Sequence, residues 1–79
     1  MENIIENLKT IEQDTTVPRN VRSKIKSAIL ALEDQNGTAE KVKIDRALQE
    51  LDDLSDDPNL PSYTRTQIWN VVSTLESKE

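Results

Sequence analysis

Seventy-nine residues with no cysteine, no histidine and a formal charge of −5 make one domain at most. They exclude disulfides, the usual zinc or copper ligands and any Ser–His or Cys–His nucleophile. The acidic balance disfavours generic attraction to nucleic acid or to an anionic membrane.

A chain this short buries only about 60–65% of the surface its unfolded form exposes, so a small core or a second subunit must supply its stability. No stretch approaches the roughly 18–20 apolar residues of a membrane span. The Met-Glu-Asn start has neither the basic nor the apolar region of a signal peptide, so a cytoplasmic location is expected.

Helical periodicity runs through the chain, and β-branched alternation is nowhere sustained. Ile4, Ile5, Leu8 and Ile11 recur at spacings of three and four and predict a first helix from about Glu2 to Gln13. Val21, Ile25, Ala28, Ile29 and Leu32 predict a second from about Pro18 to Gln35, ended by Asn36-Gly37, with Thr38 able to cap the third. Ile44, Ala47, Leu48, Leu51 and Leu54 mark that third helix; Ile68, Val71, Val72 and Leu75 mark a fourth beginning near Pro61. Pro18 and Pro61 are read as first-turn residues, where a missing amide hydrogen costs nothing. Val17 and Leu60, each before a proline, should lie outside the helices and fold back as apolar plugs.

A shift of 43 residues lays Pro61 on Pro18. Leu51 then falls on Leu8, Leu54 on Ile11, Asp57 on Asp14, Leu60 on Val17, Arg65 on Arg22, Ile68 on Ile25 and Glu76 on Glu33. Leu and Ile matches come cheaply between amphipathic hairpins; Asp, Pro, Arg and Glu in the same register do not. A period in the low forties is that of helical-pair repeats. Residues 1–79 are therefore expected to be a single all-α domain of two duplicated antiparallel helical hairpins, about 1–36 and 44–79. The arrangement is either a HEAT-like pair or a four-helix bundle.

The run Leu8-x-x-Ile11-x-x-Asp14, then Val21-Arg22-x-x-Ile25 and Leu32, resembles a HEAT repeat, which implies stacked hairpins with an Asp in the turn and an Arg on the second helix. The second copy departs by placing Thr64 where the first has Val21. Two repeats are also fewer than a solenoid normally needs to close a core. A wider resemblance spans nearly the whole chain. Asp14-x-x-Val17-Pro18-Arg19-Asn20-Val21-Arg22 and Asp57-Pro58-Asn59-Leu60-Pro61-x-x-Thr64-Arg65-Thr66-x-Ile68-Trp69 resemble the signatures of a family of short archaeal proteins, uncharacterised protein family number 0147. That resemblance implies an archaeal, cytoplasmic, all-helical protein and carries over no functional residues.

Three constellations bear on function. Asp52, Asp53, Ser55, Asp56, Asp57 and Asn59 could offer oxygens to a hard cation, but the spacing is not that of an EF-hand loop, so a structural turn is the preferred reading. Asp14/Arg22 and Asp57/Arg65 recur at the same place in both hairpins, which argues for architecture over ligand clamping. The second helix carries Arg19, Arg22, Lys24 and Lys26, and residues 15–37 form a net-basic segment with four cations against two acids.

Lys26 and Trp69 occupy matching positions, about 100° around from the Ile25 and Ile68 stripe centres. If the second helices of the hairpins lie side by side, Arg19, Arg22, Lys26, Arg65 and Trp69 share one candidate interaction face. The sequence-level expectation is an interaction or scaffold module, not an enzyme, that binds a protein partner or itself. No cofactor, metal or small-molecule substrate is inferred. The alternative is an RNA- or ribosome-associated factor using the basic second helix. Nucleic-acid binding is otherwise not expected, because no aromatic RNA-stacking pair, GxxG loop or recognition helix is present.

Overall fold

A computed structural model describes residues 2–34 and 37–77. Four helices follow one another: α1 (Glu2–Glu12), α2 (Arg19–Leu32), α3 (Glu40–Ser55) and α4 (Ser62–Glu76). No strand occurs among the described residues. Each helix begins and ends where its apolar stripe does, since helices of 11–16 residues are marginal alone and need a buried face.

The first and third connections are the same turn written twice. Asp14 N–H donates to the Ile11 carbonyl at 3.1 Å and Asp57 N–H to the Leu54 carbonyl at 3.0 Å. Val17 N–H reaches the Asp14 carbonyl at 3.1 Å, and Leu60 N–H the Asp57 carbonyl at 3.2 Å. Each Asp side chain also closes an Asx turn, accepting from Thr16 N–H at 3.0 Å or Asn59 N–H at 2.9 Å. Pro18 and Pro61 then take nearly identical conformations, φ −55°, ψ 147° and φ −58°, ψ 145°. These extended ψ values place both prolines at the N-cap, one residue before the first turn in which the sequence put them. They still start the helices, because their carbonyls accept the amides of Arg22 and Arg65 at 3.0 and 2.9 Å.

The second connection differs. α2 stops at Leu32, with Glu33 N–H closing on the Ile29 carbonyl. Gln35 and Asn36, expected as helix end and terminator, lie outside the described residues. Gly37 has φ +82°, the left-handed conformation expected of it. Thr38 does not cap α3. Its hydroxyl donates back to the Asp34 carboxylate at 2.9 Å, and Ala39 occupies the N-cap with no side chain to offer.

The helices close as a ring. α1 packs on α2, α2 on α3, α3 on α4, and α4 back on α1; the pairs α1/α3 and α2/α4 stand diagonally, without close backbone approach. Asn20 donates to Asp57 at 3.2 Å while Lys24 reaches Asp53 at 3.1 Å, so numbers rise along α2 as they fall along α3 and the two run antiparallel. The two arrangements left open by the sequence thus resolve to a four-helix bundle, 35 × 21 × 20 Å. Side-by-side stacking of α2 on α4, as in a HEAT-like pair, is not what forms. Helices of 14–16 residues are about 21–24 Å long and can bury their stripes in a closed bundle without further repeats.

The core is filled by corresponding residues of both hairpins: Leu8 and Leu51, Ile11 and Leu54, Ile25 and Ile68, Leu32 and Leu75. Val17 and Leu60 are buried with them as the expected plugs, at 2% and 6% exposure. Thr64 is the one polar side chain buried among the described residues, where the first hairpin buries Val21.

Leu60→Ala should lower unfolding free energy by about 2–3 kcal/mol, a large share of the stability of so small a core, read by urea denaturation. Thr64→Val should raise it by about 1 kcal/mol, because the hydroxyl is given up from a buried site in which the first hairpin already accommodates valine.

Candidate interaction surface

The ring topology decides which candidate residues meet. α2 and α4 stand at opposite corners, so Arg19, Arg22 and Lys26 on one and Arg65 and Trp69 on the other do not form a single face. The expectation of one shared face depended on lateral stacking of the two helices, and the closure of α1 on α4 removes it.

The basic strip on α2 is also smaller than its composition. Lys24 is paired with Asp53 across the α2/α3 seam at 3.1 Å. Arg22 is half-buried, and its Nε has no hydrogen-bond partner. Its charge acts on Asp14, whose carboxyl is held below the usual range first by the Thr16 hydroxyl at 2.7 Å and then by the Thr16 amide; partial desolvation opposes this, and Arg22 adds a smaller pull. Arg65 turns toward its own hairpin, donating from Nη2 to the Asp57 carbonyl at 3.1 Å. Arg19 and Lys26 remain exposed, without an ion pair among the described residues.

The acidic turn serves the fold. The Asp57 carboxylate accepts from Asn59 N–H and Asn20 Nδ2, and Asp53 holds Lys24. Among the described residues no three carboxylates converge closely enough to hold a metal ion.

Four large apolar side chains stand out of the core: Trp69 at 65% exposure, Tyr63 at 73%, Leu30 at 60% and Val42 at 40%. Trp69 is therefore not part of the core edge. Its neighbours on the helical wheel include the short Ser62, Thr66 and Ser73, and Arg65, one turn before it, is drawn to the Asp57 carbonyl. Leu30 walls a groove of about 310 Å³ between α1 and α2, lined also by Lys9, Glu12, Gln13, Lys26, Ile29 and Glu33. Lys9 and Glu33 join across it at 3.4 Å. Leu30 and its groove were not singled out by the sequence; the signal available was an apolar residue off the Ile25–Ile29–Leu32 stripe.

With this geometry in view, the comparisons with known proteins are specific. The model of the Uncharacterised protein family (UPF0147) matches residues 1–77. The chain belongs to that family. It is 47% identical over 72 residues to a UPF0147 protein of Methanocaldococcus jannaschii, covering 87% of this chain and 73% of the relative. A UPF0147 protein of Saccharolobus solfataricus is 46% identical over 70 residues, covering 89% and 78%. The crystal structure of a protein of unknown function, MMP1188, superimposes with a TM-score of 0.91 at 47% identity, covering 96% of this chain and 85% of that one. The relatives are thus archaeal UPF0147 proteins, and the fold is one already seen by crystallography.

One charge arrangement in this family member runs against its own helix. The last turn of α3 holds no basic residue, although helix C-termini favour cations, and Asp52, Asp53 and Asp56 cluster there. Only Asp53 is offset, by Lys24. Asp52→Asn with Asp56→Asn should therefore stabilise the fold by ~0.5 kcal/mol or more, measured by denaturation at low ionic strength, and added salt should shrink the gain. Asp14 gives a pH signature of opposite sense. Its folded pKa lies below the ordinary 3.8, so its stabilisation is full above that value and lost as pH falls through the lower folded one. Asp14→Ala should melt earlier than wild type at neutral pH, and the difference should narrow in melts taken progressively below pH 3.8.

Proposed function

We propose that the chain is a non-catalytic helical interaction module of the cytoplasm, whose recognition element is Trp69 on the outer face of α4. The observation that carries this reading is the 65% exposure of the sole tryptophan in a bundle that buries nearly all of its large aliphatic side chains. A large, rigid aromatic side chain left in water at a helix surface is the residue type most often found at the energetic centre of a protein interface. The absence of His and Cys from the sequence supports a binding role over catalysis, because it removes the commonest proton-transfer and nucleophilic groups.

The RNA-associated alternative loses support, since one of its four cations is tied to Asp53 and another is half-buried beside Asp14. The two exposed cations that remain neutralise too few phosphates for strong binding.

Affinity capture from an archaeal lysate, beside light scattering for oligomeric mass, tests the proposal with wild type, Trp69→Ala and Lys26→Glu. Trp69→Ala should lose the captured partner, or the higher mass if the partner is a second copy, with at least a tenfold fall in affinity; Lys26→Glu should retain it. Retention by Trp69→Ala of every partner and of the wild-type mass contradicts the reading. Capture of RNA that falls steeply with salt and is lost in Lys26→Glu would replace it with the alternative.

A further inference from the structure

The duplication points to a matching seam between α3 and α4. The α1/α2 groove is lined by Lys9 and Gln13 on one helix and its end, and by Lys26, Leu30 and Glu33 along the other. Forty-three residues on, the same positions are Asp52 and Asp56 at the end of α3, and Trp69, Ser73 and Glu76 along α4. Both hairpins have the same turn geometry and adjoining packed helices, so the correspondence carries over to the α3/α4 seam.

The two grooves differ in chemistry. The first closes on itself, with Lys9 paired to Glu33 at 3.4 Å and Leu30 on its wall. The second exchanges both lysines, for Asp52 and Trp69, and replaces Leu30 with a serine. Its residue types make it aromatic and anionic. Asp52, Asp56 and Glu76 have no ion pair among the described residues. Arg65, one turn before Trp69, is turned to the Asp57 carbonyl. Asp52 and Asp56 moreover sit at the helix end where carboxylates cost stability. Local rules are broken in this way mainly where a site needs it.

We propose that the α3/α4 groove, walled by Trp69 and rimmed by Asp52, Asp56 and Glu76, docks an arginine-bearing segment of a partner protein. This rests on the interaction-module reading and deepens it by naming the partner's chemistry. An exposed indole presents a face on which a guanidinium stacks, and carboxylates beside it accept the remaining N–H donors bidentately. Lysine forms the same charge contacts without the planar stack.

The sole tryptophan is a built-in reporter. Wild type is titrated with a nine-arginine peptide while Trp69 emission is followed, beside two triple variants with equal changes in net charge. One is Asp52→Asn/Asp56→Asn/Glu76→Gln in the α3/α4 groove; the other is Glu6→Gln/Glu12→Gln/Glu33→Gln on the first hairpin. The expected result is a saturable emission change in wild type and in the first-hairpin variant, weakened at least tenfold in the groove variant. Calorimetric titration of Trp69→Ala should show a comparable loss. Equal weakening in both triple variants assigns the binding to net charge and overturns the proposal, as does the absence of saturation in wild type. Partner capture that still depends on Trp69 when the peptide fails leaves the interaction module standing and removes only the arginine assignment; loss of both removes the two together.

Discussion

Each of the four helices is apolar along one stripe only, and none can bury that stripe without the other three. At 11–16 residues they are too short to persist alone. The condition that governs the molecule is therefore the closure of α4 on α1, which turns two half-buried hairpins into a single core. Val17 and Leu60 complete the closure at the end of the bundle where both Asx turns lie. The prolines that follow them fix where the next helix starts. No disulfide assists, so the apolar ring carries the fold.

The two hairpins share a frame and differ in what they show to solvent. Equivalent atoms make equivalent turn hydrogen bonds, and equivalent residues fill the core. On the outside, the first hairpin balances its charges across the α1/α2 groove through Lys9 and Glu33. The second gathers carboxylates at the C-terminal end of α3, of which Asp52 and Asp56 have no ion pair among the described residues, and exposes a tryptophan on α4. Duplicated scaffolds diverge in this manner when packing constrains the interior and leaves the surface free to specialise. Function is then argued from those surface residues and not from the fold, which by itself hosts many roles.

Much of the architecture was legible in the residues. Spacings of three and four placed all four helices, and the 43-residue register foretold two matching turns down to the Asp and Pro positions. The choice between stacked hairpins and a closed bundle was not legible, because the same stripe, Ile25–Ile29–Leu32 for example, can face either neighbour. That ambiguity also produced the single candidate face, which fails once α2 and α4 stand at opposite corners. Thr38 misled for a local reason: a hydroxyl can bond forward to a helix amide or back to a carboxylate, and Asp34 is four residues away. The exposure of Trp69 lay beyond the sequence as well, since a residue 100° from the stripe centre can be covered by a neighbouring helix or left in water.

The ring closure is tested most directly by a distance between its diagonal corners. The native chain has no cysteine, so spin labels at Lys26→Cys and Trp69→Cys report on α2 and α4 alone. With neighbouring axes 8–10 Å apart and both labels pointing outward, the closed bundle predicts a narrow distribution centred beyond about 20 Å. A distribution centred near 10 Å would mean that α2 lies beside α4 in an open stack, and the account of the core, the seam and both grooves would be wrong.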